Sequence, residues 1–339
     1  MSVESPTLHL GLAGFTAEQQ DQLSAALQGC SSGFWQPSKF AAGDAWWING
    51  ARVQVLPDST IRVASGVPGT RSLHLDLQDV DRPVAFALPL APRQFEPLCT
   101  FDPQSVPSMD ATLKIFEGWL RPMMAQFCLA SSIFEQESVL GSGSHHVIAN
   151  GIVIAVVNMH GDSGVLPTAT AADFENAMWQ RLAQPQADIP DHFVRGSMAQ
   201  LMWHYAMRTT REVLPKRYFT ERLYFRRPPR LPQRLLTDAH LLLLRELACA
   251  PADFKTLQQN TGLGEQALAR DLAALYFVGA ITSNPKRAAA GAAGKGAAGP
   301  ESGTSLSHSL PPSGLDSGPA LMRPRQGTDL TAPAPFGPY

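Results

Sequence analysis

The sequence has little cysteine, no long apolar run and no excess of charge of either sign. Its four cysteines are scattered and form no C-x-x-C pair, which argues against a zinc knuckle or a redox dithiol. The 27 basic and 29 acidic residues nearly cancel, so a protein-wide field that attracts nucleic acid is absent. Its uniformly apolar stretches, such as 152–157, are far below the roughly 20 residues that cross a bilayer. Residues 1–6 carry no Lys or Arg, unlike a signal peptide. We therefore predict a cytoplasmic protein without membrane contact.

Motifs of catalysis are missing as well. The sequence contains no G-x-S-x-G elbow, and the segment 294–296 lacks the spacing of a phosphate-binding loop. His145, His146, His160 and Asp162 flank the predicted hairpin and come nearest to a metal site, but the adjacent strand residues His145 and His146 point to opposite faces. We interpret all four as exposed polar residues of a hairpin. The sequence thus predicts no catalytic residue, no metal and no cofactor.

Composition and pattern divide the chain into four predicted segments and favour the α+β fold class. Ala, Gly, Pro and Ser supply 34 of the last 55 residues, too few apolar groups to offset chain entropy, which predicts disorder there. The predicted segments are 1–92, a small α/β domain; 93–236, a central helix-hairpin-helix domain with an Arg-rich strap; 237–284, a winged-helix-like module; and 285–339, a disordered tail.

The first segment begins with a short apolar run, 8–14, which predicts a buried strand. Thr16 and Gln19, three residues apart, match a capping box at the start of a helix. Further runs of strand length lie at 52–55, 61–63, 73–77 and 84–88.

The central segment contains the clearest local signal. Asn150 and Gly151 separate the apolar runs 146–149 and 152–157. Because Asn-Gly adopts positive φ at both turn positions at little cost, this pattern predicts a type I′ hairpin. Predicted helices cover 108–136, 171–182 and 197–214. Ser108 is the predicted N-cap of the first of them, and Pro122 is expected to kink this helix or to start a second one. Trp119, Trp179, Trp203 and Tyr205 are predicted to fill the core that joins these helices.

Three helices are predicted at the end of the ordered chain, at 238–249, 253–261 and 264–276, followed by a short strand at 277–281. They resemble a winged helix-turn-helix module. The third helix, which would read the DNA groove, carries Glu265 and Asp271 against Arg270 alone. Groove-reading helices need several basic or amide side chains, so a docking or dimerising role is favoured over DNA contact.

An Arg-rich strap, residues 222–234, is the strongest functional candidate. Nine of the 27 basic residues lie between 208 and 234, against two acidic ones, and three prolines hold the strap extended. Spaced guanidinium groups suit phosphate or carboxylate binding. The alternative is a structural strap whose arginines pair with internal carboxylates. The predicted anion or partner contacts are Arg222, Arg226, Arg227, Arg230 and Arg234.

Two resemblances bear on function. The opening strand and helix resemble a response-regulator receiver, but Gly14 and Phe15 stand where a receiver has its acidic pair. This resemblance implies a degenerate copy without phosphoryl chemistry. The glycine-turned hairpin, combined with terminal helices of winged type, resembles PATAN-type regulatory domains of bacterial signalling proteins, which implies an adapter role.

We therefore predict a non-catalytic regulatory or scaffolding protein that acts through a protein partner. An anionic small ligand at the strap is a second candidate ligand. One alternative is a DNA-binding transcriptional regulator, whose affinity would fall steeply with salt. The other is an enzyme of unrecognised type, which a pocket of ionisable groups with perturbed pKa values would favour.

Overall fold

The chain folds as an α+β protein, as the sequence predicts. The computed structural model describes residues 2–31, 35–57, 60–92, 95–137, 139–183 and 188–289. The predicted tail, 285–339, lies outside the described residues except for 285–289.

A five-stranded parallel sheet forms the first layer, with the spatial order β2-β1-β3-β7-β8. A three-stranded antiparallel meander, β4-β5-β6, is inserted between its third and fourth strands. The sequence predicted β1, the meander and β7, but not β2 and β3. In chain order these elements are β1 (Leu8–Ala13), α1 (Ala17–Leu27), β2 (Trp35–Ser38), β3 (Ala45–Asn49), β4 (Val53–Val55), β5 (Thr60–Val63), β6 (Leu73–Asp76), β7 (Val84–Ala87) and β8 (Thr100–Phe101).

The two faces of the parallel sheet are buried in different ways. One face packs against α1 and the first half of α2 (Val106–Gln136), around Trp47, Leu113 and Phe116. The other face packs against the meander, around Ile48 and Ile61. Burial on both faces explains why β3 shows no alternation of apolar and polar residues.

The long helix α2 begins earlier than predicted and is not divided into two helices. It begins after Ser105, whose side chain accepts from the Ser108 backbone N–H, so Ser105 and not Ser108 is the N-cap. The helix continues through Pro122 to Gln136. Trp119 was wrongly placed in the core, since its side chain is 55% exposed, whereas Trp203 and Tyr205 are buried as predicted.

The second sheet is antiparallel, in the order β12-β9-β10-β11-β13. Asn150 (φ 51°) and Gly151 (φ 78°) turn its central hairpin, which confirms the predicted Asn-Gly turn. The elements of this region are β9 (Ser144–Ala149), β10 (Ile152–Asn158), β11 (Asp162–Val165), α3 (Ala171–Glu175), β12 (Met178–Arg181), β13 (Val194–Ser197), α4 (Met198–Arg208) and α5 (Arg217–Thr220).

Two predicted helices in this region are too long. The helix predicted at 171–182 is only the five-residue α3, because the chain then pairs with β9 as the edge strand β12. The helix predicted at 197–214 ends at Arg208. Beyond it, the Thr209 and Thr210 side chains and the Thr210 N–H bind the Glu4 carboxylate, a contact that replaces further helical hydrogen bonds.

The last three helices match their prediction closely, with Gly262 (φ 68°) ending the second of them. The strand predicted at 277–281 is shorter, because α8 continues to Phe277 and Gly279 (φ 66°) turns the chain. The elements are β14 (Tyr224–Phe225), α6 (Asp238–Cys249), α7 (Phe254–Thr261), α8 (Glu265–Phe277) and β15 (Ile281–Thr282).

One continuous core joins the second half of α2, the antiparallel sheet, α4 and the three terminal helices. The predicted domain boundaries stay a prediction, since a shared core does not measure independent folding. In the described part of the chain, no helix combines the length and apolarity required to cross a membrane.

Candidate functional site

The five predicted contact residues of the strap all lie on the surface. Arg222, Arg226, Arg227, Arg230 and Arg234 are exposed. Within the described ranges, none of them lies within 4.0 Å of a carboxylate oxygen. The strap arginines therefore form no ion pair with the described part of the chain.

Backbone hydrogen bonds fix the first half of the strap to the end of the terminal module. β14 pairs with β15, and the Arg226 N–H donates to the Ala280 carbonyl at 2.8 Å. On its return, the chain donates the Ala289 N–H to the Phe225 carbonyl at 3.0 Å. These contacts hold the first half of the strap as a strand, and Leu223 also forms an isolated antiparallel bridge with Ala252.

Two guanidinium groups meet over the Gly279 turn. A Cβ at Gly279 would lie 3.1 Å from Arg227 Nη2 and 3.4 Å from Arg226 Nη1. The glycine leaves this space open for both side chains. Arg227 Nη2 donates to the Val278 carbonyl at 3.4 Å, a weak contact with the C-terminus of α8.

Two further cations, Lys286 and Arg287, stand next to this pair. They occupy a 3₁₀ turn, are exposed, and precede the Ala289 contact with the strap. Both lie within the predicted tail, 285–339, and were therefore not among the predicted contact residues. The signal that the sequence offered was this adjacent basic pair, which begins four residues after β15.

Arg222 and Arg234 lie beside other groups, so the five strap arginines do not converge on one ligand. Arg222 lies near Asp253, the N-cap of α7, whose pKa is lowered mainly by hydrogen bonds from Thr256 and slightly by Arg222. Arg234 lies near His204, whose pKa falls to about 4, chiefly through burial and further through neighbouring guanidinium charge.

A cleft of about 760 Å³ lies between the parallel sheet and the last helix, and we call it the α8 cleft. It is lined by Thr7, His9, Gln36 and residues 206–214. Five residues of the first half of α8 also line it, namely Glu265, Gln266, Ala267, Ala269 and Arg270.

Two carboxylates, Asp44 and Glu4, join the N-terminal layer to the end of α4 beside this cleft, and we call these contacts the seam. Asp44 accepts from Arg208 Nη2 at 2.7 Å and from the His9 backbone N–H at 2.9 Å. Glu4 accepts from both Thr209 and Thr210, at 2.6 to 2.8 Å. Both carboxylates are mostly buried, so these contacts are well protected from solvent.

The ionisable groups of the α8 cleft are largely committed to this seam. Burial lowers the pKa of His9, and the charges of Arg208 and Arg270 lower it further against the opposing effect of Asp44. The hydroxyls of Thr209 and Thr210 donate to Glu4 and tie the end of α4 to the N-terminal segment. The geometry of these groups therefore describes a packed joint between two layers.

The crevice at the carboxyl ends of β1 and β3 is filled. Ligands of doubly wound sheets bind there, where the strand order reverses. In this chain a Cβ on Gly66, in the loop between β5 and β6, would clash with the Phe15 carbonyl, so this loop touches the backbone that follows β1. Asn49 Nδ2 donates to the Gly14 carbonyl at 3.1 Å and closes the same place.

His145 and His146 occupy adjacent positions of β9. His145 is buried with its ring edge-on to Trp179, so its interpretation as an exposed residue is wrong. Burial, assisted by Arg181, lowers the pKa of His145. Packing against an aromatic ring accounts for this histidine.

His240 is also buried, at the start of α6. Its Nδ1 accepts from the Thr237 N–H at 3.1 Å and completes a capping box, so a neutral ring carries its proton on Nε2. Burial lowers the pKa of His240 to about 4 and raises the pKa of Asp271, 3.6 Å away. The ring is therefore uncharged at neutral pH.

Comparisons with known proteins give no match: no family model, no curated protein and no solved structure matches this chain. Its function has to be inferred from its own residues.

Proposed function

We propose that this chain is a non-catalytic regulatory or scaffolding protein, and that an acidic segment of a protein partner binds to its strap. The observation that carries the proposal is the set of five exposed guanidinium groups without an ion-pair partner in the described structure. By contrast, the nearby Arg208 and Arg211 are paired with carboxylates. Unpaired like charges on a fixed backbone repel one another, and an anionic partner relieves that repulsion.

The parallel sheet supports a role without chemistry at its switch point. Its order, 2-1-3-4-5 by position in the chain, is that of doubly wound sheets such as receivers, which is consistent with a degenerate receiver-like domain. The crevice that would hold a metal or ligand contains Val63 and Gly66. An acidic pair is missing there, since Gly14 and Phe15 follow β1.

The position of α8 weighs against the DNA-binding alternative. Residues 271–275 of this helix are buried, and α8 packs against α4. Glu265, Gln266 and Arg270, the exposed residues at its start, line the α8 cleft together with His9 and Gln36. A recognition helix must project freely into a major groove about 12 Å wide, whereas this helix shares a cleft with the parallel-sheet layer.

The proposal is tested with a fluorescent ten-residue polyglutamate peptide and, separately, a labelled DNA duplex, both at low salt. We expect Arg230→Glu/Arg234→Glu to weaken peptide binding roughly 10-fold, because each lost charge contact is worth somewhat under 1 kcal/mol. The matched control is Arg71→Glu/Arg121→Glu, which changes the net charge equally at two exposed positions elsewhere.

Equal weakening by the two double variants would mean that binding follows net charge alone, and the strap would lose its role. A duplex bound more tightly than the peptide, with a steep salt dependence, would favour the DNA-binding regulator instead.

A further inference from the structure

We propose that Arg226 and Arg227, together with Lys286 and Arg287, form a binding site for a phosphate monoester on the partner, so that phosphorylation of the acidic segment strengthens its binding. This inference rests on the proposed function and specifies which part of the strap recognises which group.

Geometry separates these four cations from the rest of the strap. Arg226 and Arg227 each place a guanidinium nitrogen within 3.5 Å of one point above Gly279. The contact between Ala289 and Phe225 brings the turn with Lys286 and Arg287 to the same edge. No carboxylate of the described chain forms an ion pair with any of the four.

The charge of this cluster suits a phosphate better than a carboxylate. A carboxylate brings one negative charge and two oxygens, whereas a phosphate monoester brings between 1.5 and 2 charges and three acceptor oxygens. Two adjacent guanidinium forks can each donate two parallel hydrogen bonds to such a group. The carbonyl of Val278 occupies only one nitrogen of Arg227, which leaves the other donors free.

The backbone around the cluster is rigid, which lowers the entropic cost of binding. Arg226 and Arg227 both donate their backbone N–H groups to the Ala280 carbonyl, at 2.8 and 3.3 Å. Gly279 has φ +66°, and a side chain there would project towards both guanidinium groups. The site is thus open because of the glycine and held in place by β14 and β15.

The test uses three acidic nonapeptides of one sequence that carry serine, glutamate or phosphoserine at the centre, with affinities measured by fluorescence anisotropy. We expect the phosphoserine peptide to bind wild type at least about 10-fold tighter than the glutamate peptide. In Arg226→Ala/Arg227→Ala this ratio should fall to near one. In Arg230→Ala/Arg234→Ala all affinities should fall while the ratio persists. Circular dichroism verifies that each variant is folded.

A lysine variant separates charge from geometry. Arg226→Lys/Arg227→Lys keeps both charges but lacks the planar forks, so glutamate binding should survive and the phosphoserine advantage should shrink.

The outcomes distinguish the two proposals. If the peptides bind through the strap but the phosphoserine advantage is absent, or unchanged in Arg226→Ala/Arg227→Ala, the phosphate site is overturned and the docking function stands. If no peptide binds, titration with inorganic pyrophosphate decides: binding that depends on Arg226 and Arg227 keeps the site and removes the acidic protein partner. Failure of pyrophosphate as well overturns both.

Discussion

The ion pair between Asp44 and Arg208 should contribute far more to stability than the equally short pair between Asp81 and Arg82. The N–O distances are 2.7 and 2.8 Å, but the Asp44 side chain is 9% exposed and that of Asp81 76%. At an effective dielectric constant of about 20, two charges 4 Å apart attract by about 4 kcal/mol, whereas in water they attract by about 1 kcal/mol. Burial and not distance therefore sets the difference.

We expect Asp44→Asn to lower the free energy of unfolding by about 3 kcal/mol. The substitution leaves the Arg208 guanidinium largely buried without its counter-charge, and Arg208 Nε already lacks a hydrogen-bond partner in the described structure. Asp81→Asn should cost less than about 1 kcal/mol, since exposed pairs contribute little. Urea unfolding at pH 7, followed by fluorescence, measures both.

A second variant tests the physical cause. Adding Arg208→Met to Asp44→Asn removes the stranded charge and should recover a large part of the loss. The reasoning would be refuted if Asp44→Asn and Asp81→Asn lowered the free energy of unfolding by amounts that agree within about 0.5 kcal/mol. The two carboxylates would then have equal access to solvent.

Three other predictions concern single residues. The folded His240 ring gains a proton only near pH 4, whereas an unfolded histidine gains one below its ordinary pKa of 6.5, so this group costs wild type about 2 kcal/mol of stability between about pH 7.5 and pH 5. His240→Gln should abolish that pH-dependent loss while it preserves the capping box. An unchanged pH profile in urea unfolding would contradict this. Gly151→Ala should cost about 1 kcal/mol because of its positive φ, and Gly141→Ala, at ordinary φ, much less. A thiol reagent should label the exposed Cys249 quickly and the buried Cys128, whose pKa is about 12, only after unfolding.

Structural features that depend on a few adjacent residues were predictable from the sequence. The Thr16–Gln19 capping box, the Asn150-Gly151 turn and the glycine that ends α7 all lie where their patterns indicate. Each depends on local backbone geometry, which a short pattern determines.

Features decided by distant contacts were not predictable. α4 ends at Arg208 because Glu4, about 205 positions earlier, binds the next two threonines. The segment 178–181 becomes a strand only because β9 offers an unpaired edge. β2, which contains Pro37, and β3, which is buried throughout, lack the alternation on which strand prediction depends.

The same limit applied to the candidate site. The sequence left two interpretations of its basic region open, pairing with internal carboxylates or binding an external anion. The structure divides the region between them: Arg208 and Arg211 lie in the seam with Asp44, Glu4 and Glu135, and the strap that follows has no such partners among the described residues. The division follows from topology, because α4 runs into the seam at its C-terminus, whereas β14 leads the chain out along the edge formed with β15. The strap arginines thus lie at a surface edge fixed by β14 and β15, whereas Arg208 and Arg211 are neutralised in the seam. This contrast within one short stretch of sequence is the reason to test the strap for an anionic partner.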